Sequence, residues 1–168
     1  QTPPLSFSII IFIKTYIIMF SNYDLAEFPI VRVNLEGGIK NKEEFIDFTN
    51  NWENLYKLKQ KFMFIFETKL FGVGGSIPIK YCFYVAKFIK KIKKKKYPYL
   101  TKSIICVYNK FIMHLLNLVF AIQSPIAPVY IINCKDLTPE NKSNTISYLL
   151  NNDNIPETMT NYIKYITP

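Results

Sequence analysis

From Pro29 onward the sequence alternates between a period of two and a period near three and a half. Residues 29–35, PIVRVNL, place apolar and polar side chains in turn, as a half-buried strand does. Gly37-Gly38 ends that run. Asn41 then stands three residues before Glu44, the spacing of an N-cap and its capping-box partner. Phe45, Phe48, Trp52 and Leu55 follow at spacings of three and four, which predicts a helix with one apolar stripe. Lys57, Lys59 and Lys61 suit the negative end of its dipole. Residues 62–67, FMFIFE, are apolar almost without break, as in a strand covered on both faces. A helix is expected over 78–96, with Pro78 in its first turn, Cys82, Val85, Ala86, Ile89 and Ile92 toward the core, and Tyr97-Pro98 as its stop. Further strands fall at 103–108 (SIICVY) and 129–133 (VYIIN). Asn109 caps a helix over about 110–123, and Thr138-Pro139-Glu140 opens one that ends near Leu150. A short terminal helix is expected near 157–166.

Helical crossovers between successive strands imply mostly parallel pairing. The fold class is therefore α/β, with a mostly parallel sheet of about four to five strands and alternating helices. The chain has 168 residues, enough for one domain with a true core, and a hydrophobic fraction of 49% excludes a disordered chain. Residues 19–168 are read as that single domain. Residues 1–18 are read as an extension outside it, either foreign to a native chain that starts at Met19, or anchor-like, or an added strand. Their apolar run is short for a span of roughly 20 residues and lacks the basic start and small-residue cleavage site of a signal peptide.

The net charge is +9, and Arg32 is the one arginine among 21 basic residues. Guanine and phosphate recognition by a planar fork needs arginine, so specific nucleic-acid recognition is not expected. A lysine field suits solvent, an anionic membrane surface or loose contact with polyanions. Cys82, Cys106 and Cys134 are odd in number, without a CxxC, and lie in apolar runs, which predicts buried free thiols in a reducing compartment. His114 stands far in sequence from any serine, cysteine or carboxylate that would complete a catalytic or metal set. No enzyme activity and no cofactor is expected.

Three stretches could carry binding. GVGGS, 72–76, lacks both the GK[ST] ending of a P-loop and the third glycine of GxGxxG. Gly72, Gly74, Gly75 and Ser76 can instead form an anion loop at a helix start, present Ser76 as a phosphorylated switch, or use Ser76 only as a helix cap. KFIKKIKKKK, 87–96, places Lys87, Lys91 and Lys94 on one outward side, with Tyr81, Tyr84 and Phe88 continuing it. Such a face suits a membrane surface or single-stranded nucleic acid, or plain solvent. The helix at 111–122 is apolar all round: Ile112, Leu115, Leu116 and Val119 serve the core, and Phe111, Met113, Leu118 and Ile122 need cover from a partner, a second copy, lipid, a terminal helix or residues 1–20. Glu67 and Asp136, each at a strand end, are placed to meet at the carboxyl edge of the sheet.

FPIVRVNLEG (28–37), FIFET (64–68) and the loop-helix from Gly72 to Lys96 resemble the SpoIIAA-like fold, shared by STAS domains and CRAL-TRIO/Sec14-type lipid-binding domains. The resemblance covers about residues 29–150 and is one of pattern. In STAS domains the second strand ends in an acidic residue and the next loop presents a serine or threonine that is often phosphorylated. Glu67 and Ser76 fall at comparable places, with Gly75-Ser76 where the family has Asp-Ser. YPYLTKSIICVYNKFIMHLLNLVFAI (97–122), KDLTPEN (135–141) and NIP (154–156) resemble the CRAL-TRIO branch. The STAS resemblance implies a cytoplasmic, non-enzymatic regulatory or protein-interaction module working through 68–77 and 78–96, with a protein partner or a second copy. The CRAL-TRIO resemblance implies, as the alternative, a small lipid-binding or membrane-peripheral protein.

Overall fold

Strand-forming and helix-forming segments pair off as their periods require. The computed structural model describes residues 19–168, so the expectations for residues 1–18 lie outside the described residues. In chain order the elements are β1 (Ser21–Asp24), β2 (Ile30–Gly37), α1 (Lys42–Lys57), β3 (Phe62–Phe71), α2 (Lys80–Lys94), β4 (Leu100–Val107), α3 (Lys110–Ile122), β5 (Val129–Asn133), α4 (Pro139–Asn151) and β6 (Ile163–Ile166). They form one sheet in the order β1-β2-β3-β4-β5-β6. β2 to β5 run parallel, and β1 and β6 close the two edges antiparallel.

The unbroken apolar run of β3 is explained by cover on both faces. Phe62, Phe64 and Phe66 point toward Phe48, Trp52 and Leu55 of α1 and Phe88 and Ile92 of α2. Ile65 points the other way, with Ile104, Cys106, Tyr130 and Ile132, against Ile146 and Leu149 of α4. Burying one such side chain contributes roughly 1.5–3 kcal/mol, so these two layers dominate the stability. All three cysteines are buried and free.

The caps expected for α1, α3 and α4 form. Asn41 accepts from the Glu44 N–H at 2.9 Å, Asn109 from Ile112 at 2.9 Å, and Thr138 from Asn141 at 3.1 Å. The Glu44 carboxylate reaches back to the N–H of Lys40 rather than that of Asn41. The far end of α4 is held by Lys102, only 6% exposed on β4. Its ammonium donates to the carbonyls of Leu149 (2.6 Å) and Asn152 (2.9 Å) and pairs with Asp153 at 2.8 Å. Those carbonyls have no partner within the helix, and a cation at this end also meets the dipole.

Three expectations change. The sheet has six strands, because β1 and β6 add antiparallel edges to the parallel core. The segment expected as a terminal helix is a 3-10 turn at Glu157–Met159 followed by β6, whose Ile163 pairs with Ile132. It therefore extends the sheet rather than roofing α3. Tyr81 and Phe88 lie inward, 5% and 6% exposed, because α2 packs its aromatic side on α1: Phe88 meets Trp52 at 5.4 Å and Tyr81 meets Phe45 at 5.4 Å. Among the described residues no helix is long and apolar enough to cross a membrane.

Candidate functional site

Parallel strands end side by side, so the loops that leave β2 and β3 emerge together at the carboxyl edge of the sheet. Here they interlock through backbone. Gly72 N donates to Gly37 O at 2.7 Å, and Ile39 N to Ser76 O at 3.0 Å. A Cβ on Gly38 would lie 2.3 Å from Ser76 O, and one on Gly75 would lie 2.5 Å from Gly38 N. Gly72 and Gly74 adopt φ of +82° and +69°, which favours glycine. Gly38 and Gly75 thus let the two loops approach closely, while Gly72 and Gly74 serve the positive φ of the turn.

Ser76 is not a helix cap. α2 begins at Lys80, its N-cap is Ile79, and no side chain caps it. The Ser76 side chain is exposed. Near it in the chain, Leu70 at the end of β3, Val73 in the loop, Ile79 before α2 and Phe83 in the first turn of α2 are 50%, 63%, 61% and 52% exposed. Gly72, Gly74, Gly75 and Ser76 thus lie in one loop, tied to the loop after β2 by two backbone hydrogen bonds. Lys87, Lys91 and Lys94 are exposed further along α2. Lys91 is tied to Glu53 of α1, and Lys95 pairs with the same carboxylate at 3.5 Å. The Lys91 contact, and burial acting against it, leave the Glu53 carboxyl below its ordinary range. Lys91 is thus a strut between α1 and α2 as well as a surface charge.

Beneath the two interlocked loops lies an apolar cavity of about 140 Å³. Its walls include Phe66 and Thr68 of β3, Trp52 of α1, Val85 of α2 and Leu115 and Leu116 of α3, and Ile39 and Ile77 from the interlocked loops reach it. The Thr68 hydroxyl is turned away to Cys106 O at 2.7 Å. A dry apolar cavity of this size holds one small ring. Leu115 and Leu116, expected in the packed core, are half-buried on its wall. On the outer side of α3 Phe111 and Ile122 stay exposed, 53% and 46%.

Glu67 and Asp136 do not form the carboxylate pair expected at the sheet edge. Glu67 is engaged by Lys142 of α4 and by Tyr108, whose hydroxyl donates to it at 3.0 Å. Lys142 also donates to the Tyr108 oxygen at 2.6 Å. Burial pulls the Lys142 amine down, but these two partners outweigh it and hold its proton above the ordinary range. Burial also pushes Tyr108 up. A protonated lysine and a neutral tyrosine satisfy the carboxylate, so the cluster joins α4 to β3. The sequence hid this because Lys142 sits 75 residues from Glu67. The bond to Cys134, and then burial, push the Cys106 thiol above its ordinary range, which keeps it neutral in the core. His114 is exposed on α3. Among the described residues no three His, Cys, Asp or Glu side chains gather to hold a metal ion.

No family model matches the chain, and no curated protein or solved structure is significantly similar to it.

Proposed function

We propose that this chain is a non-enzymatic protein-binding module of SpoIIAA-like fold, nearer the STAS branch, whose working surface is the loop after β3 with the first turns of α2. One observation carries the reading. Ser76 is exposed on a loop pinned by backbone contact, and Leu70, Val73, Ile79 and Phe83, from the same stretch of chain, are exposed too. Apolar side chains exposed along this stretch suit the buried centre of a protein interface. Ser76 stands three residues ahead of Ile79, the N-cap of α2, which has no side-chain cap, so a phosphate on Ser76 would add negative charge on the side of the helix's positive end. Placement of Ser76 between β3 and α2, with Glu67 on β3, supports the STAS-like reading. Three free, buried thiols suit a reducing, cytoplasmic setting.

The lipid-binding or membrane-peripheral reading is second. Exposed Phe111 and Ile122 and the apolar cavity favour it. The cavity's 140 Å³ falls well below the roughly 300 Å³ at which pockets for larger ligands begin.

The test is photocrosslinking in cells that make the full chain, with the reactive side chain at Val73, at Ile79 or, as control, at exposed Asn144 of α4. The expected result is one protein adduct from positions 73 and 79 and none from 144. Lipid adducts, or equal protein adducts from all three positions, contradict the proposal.

A further inference from the structure

At the opposite, amino-terminal edge of the parallel strands, the ends of α1 and α2 and the lead into β4 enclose a second cleft. It measures about 310 Å³ and is lined by Tyr56, Tyr97, Tyr99, Lys57, Lys59 and Lys95, with Glu53 and Ile92. The tyrosines form a ladder. Tyr97 stacks on Tyr56 at 5.1 Å and 28°, and on Tyr99 at 6.1 Å and 26°. Tyr97 is 40% exposed. Burial pushes Tyr56 up to about 12, its bond from Trp52 acting the other way, so this ring carries no negative charge near neutral pH. Glu53 is the one carboxylate in the lining, and Lys91 and Lys95 engage it. Among the described residues Lys57, Lys59 and Lys96 take part in no ion pair.

The backbone adds a separate observation. Lys59 and Lys96 are the positive-φ non-glycine residues among those described, at +53° and +52°. Each stands one residue past a helix C-cap, Leu58 for α1 and Lys95 for α2. Glycine is the usual residue there because a side chain is strained in that conformation. Lys59 lines the cleft, and Lys96 lies between Lys95 and Tyr97, which also line it.

We propose that this cleft binds single-stranded nucleic acid, seating one base against the exposed part of the tyrosine ladder with the flanking phosphates on Lys57, Lys59, Lys95 and Lys96. The volume meets the lower bound for an organic ligand, roughly 300 Å³. Rings and lysines together are what sequence-tolerant single-strand sites use. Arg32, the chain's one arginine, is occupied by Glu27 at 3.0 Å, so recognition is by stacking and charge rather than by bidentate base readout. A membrane is disfavoured by shape: the site is concave and Tyr97 lies against its neighbours, whereas interfacial anchors project apolar side chains.

The test is fluorescence anisotropy of the full chain with a labelled oligouridylate at about 50 mM and about 200 mM salt. The decisive variant is Lys59→Gly with Lys96→Gly. It removes two charges and relieves the backbone at both positions, so lost binding cannot be laid to lost folding. Lys87→Ala with Lys90→Ala, on the outer side of α2, removes equal charge elsewhere. Binding should weaken steeply with salt, by about tenfold in the double-glycine variant and by less than about threefold in the control. Tyr97→Leu should weaken it by about fivefold or more. Three results overturn the proposal: no binding at low salt, equal loss in both lysine variants, or binding to anionic phospholipid vesicles but not to the oligonucleotide.

Discussion

Lys102 shows what a single residue does when a charge is buried where helix carbonyls need it. Two carbonyls at the end of α4 depend on its ammonium, and Tyr130 lies beneath it at 5.5 Å. Its carboxylate partner, Asp153, is 92% exposed on its side chain. These environments predict unequal outcomes. Lys102→Met should destabilise by about 2–4 kcal/mol, because it strands buried carbonyls. Asp153→Asn should cost less than about 1 kcal/mol, because an exposed partner is screened. Urea unfolding of the two variants checks both numbers, and near-equal losses would show that the ion pair, not the carbonyl contacts, matters at this position. Nothing local in the sequence marked Lys102, since its partners lie 47 and 50 residues away.

At the scale of elements, the four parallel strands and four helices were legible because each carries its own period, and three of the helices carry a side-chain cap. Asn41, Asn109 and Thr138 sit where the pattern puts them. β1 and β6 were not legible. SNYD and IKYI are four residues each, too short to display a period, and they become strands only by pairing with Leu35–Arg32 and Ile132–Val129. The glycine loop was legible as a loop, but not the close approach that constrains it, because that comes from Gly38 on another loop. That contact makes a prediction. Gly38→Ala and Gly75→Ala should each cost more than about 2 kcal/mol, since a Cβ meets backbone that cannot swing aside. Gly74→Ala should cost only about 1–2 kcal/mol, from backbone conformation alone, because nothing lies within 4 Å of its added Cβ. Thermal unfolding separates the two classes.

The molecule as a whole is an aromatic-rich sheet domain with a positive exterior, and its tyrosines report on its integrity. Burial holds Tyr23 well above its ordinary range and raises Tyr56 to about 12. An unfolded tyrosine ionises near about pH 10. The unfolded chain therefore gives up these protons first as pH rises. Their contribution to stability is complete below about pH 10 and is lost progressively toward pH 12. An ultraviolet titration should show exposed tyrosines ionising first and Tyr23 and Tyr56 later, with stability falling across that window. Simultaneous ionisation near pH 10 while the fold persists would mean that these rings are hydrated. A protein partner seated at the Ser76 loop is detectable by native mass spectrometry of the full chain purified from cells, beside its Val73→Asp variant. The expected result is a complex with one defined protein chain, a second copy or another, that is absent from the variant. A monomer carrying a lipid-sized adduct, or a complex that survives Val73→Asp unchanged, would contradict it.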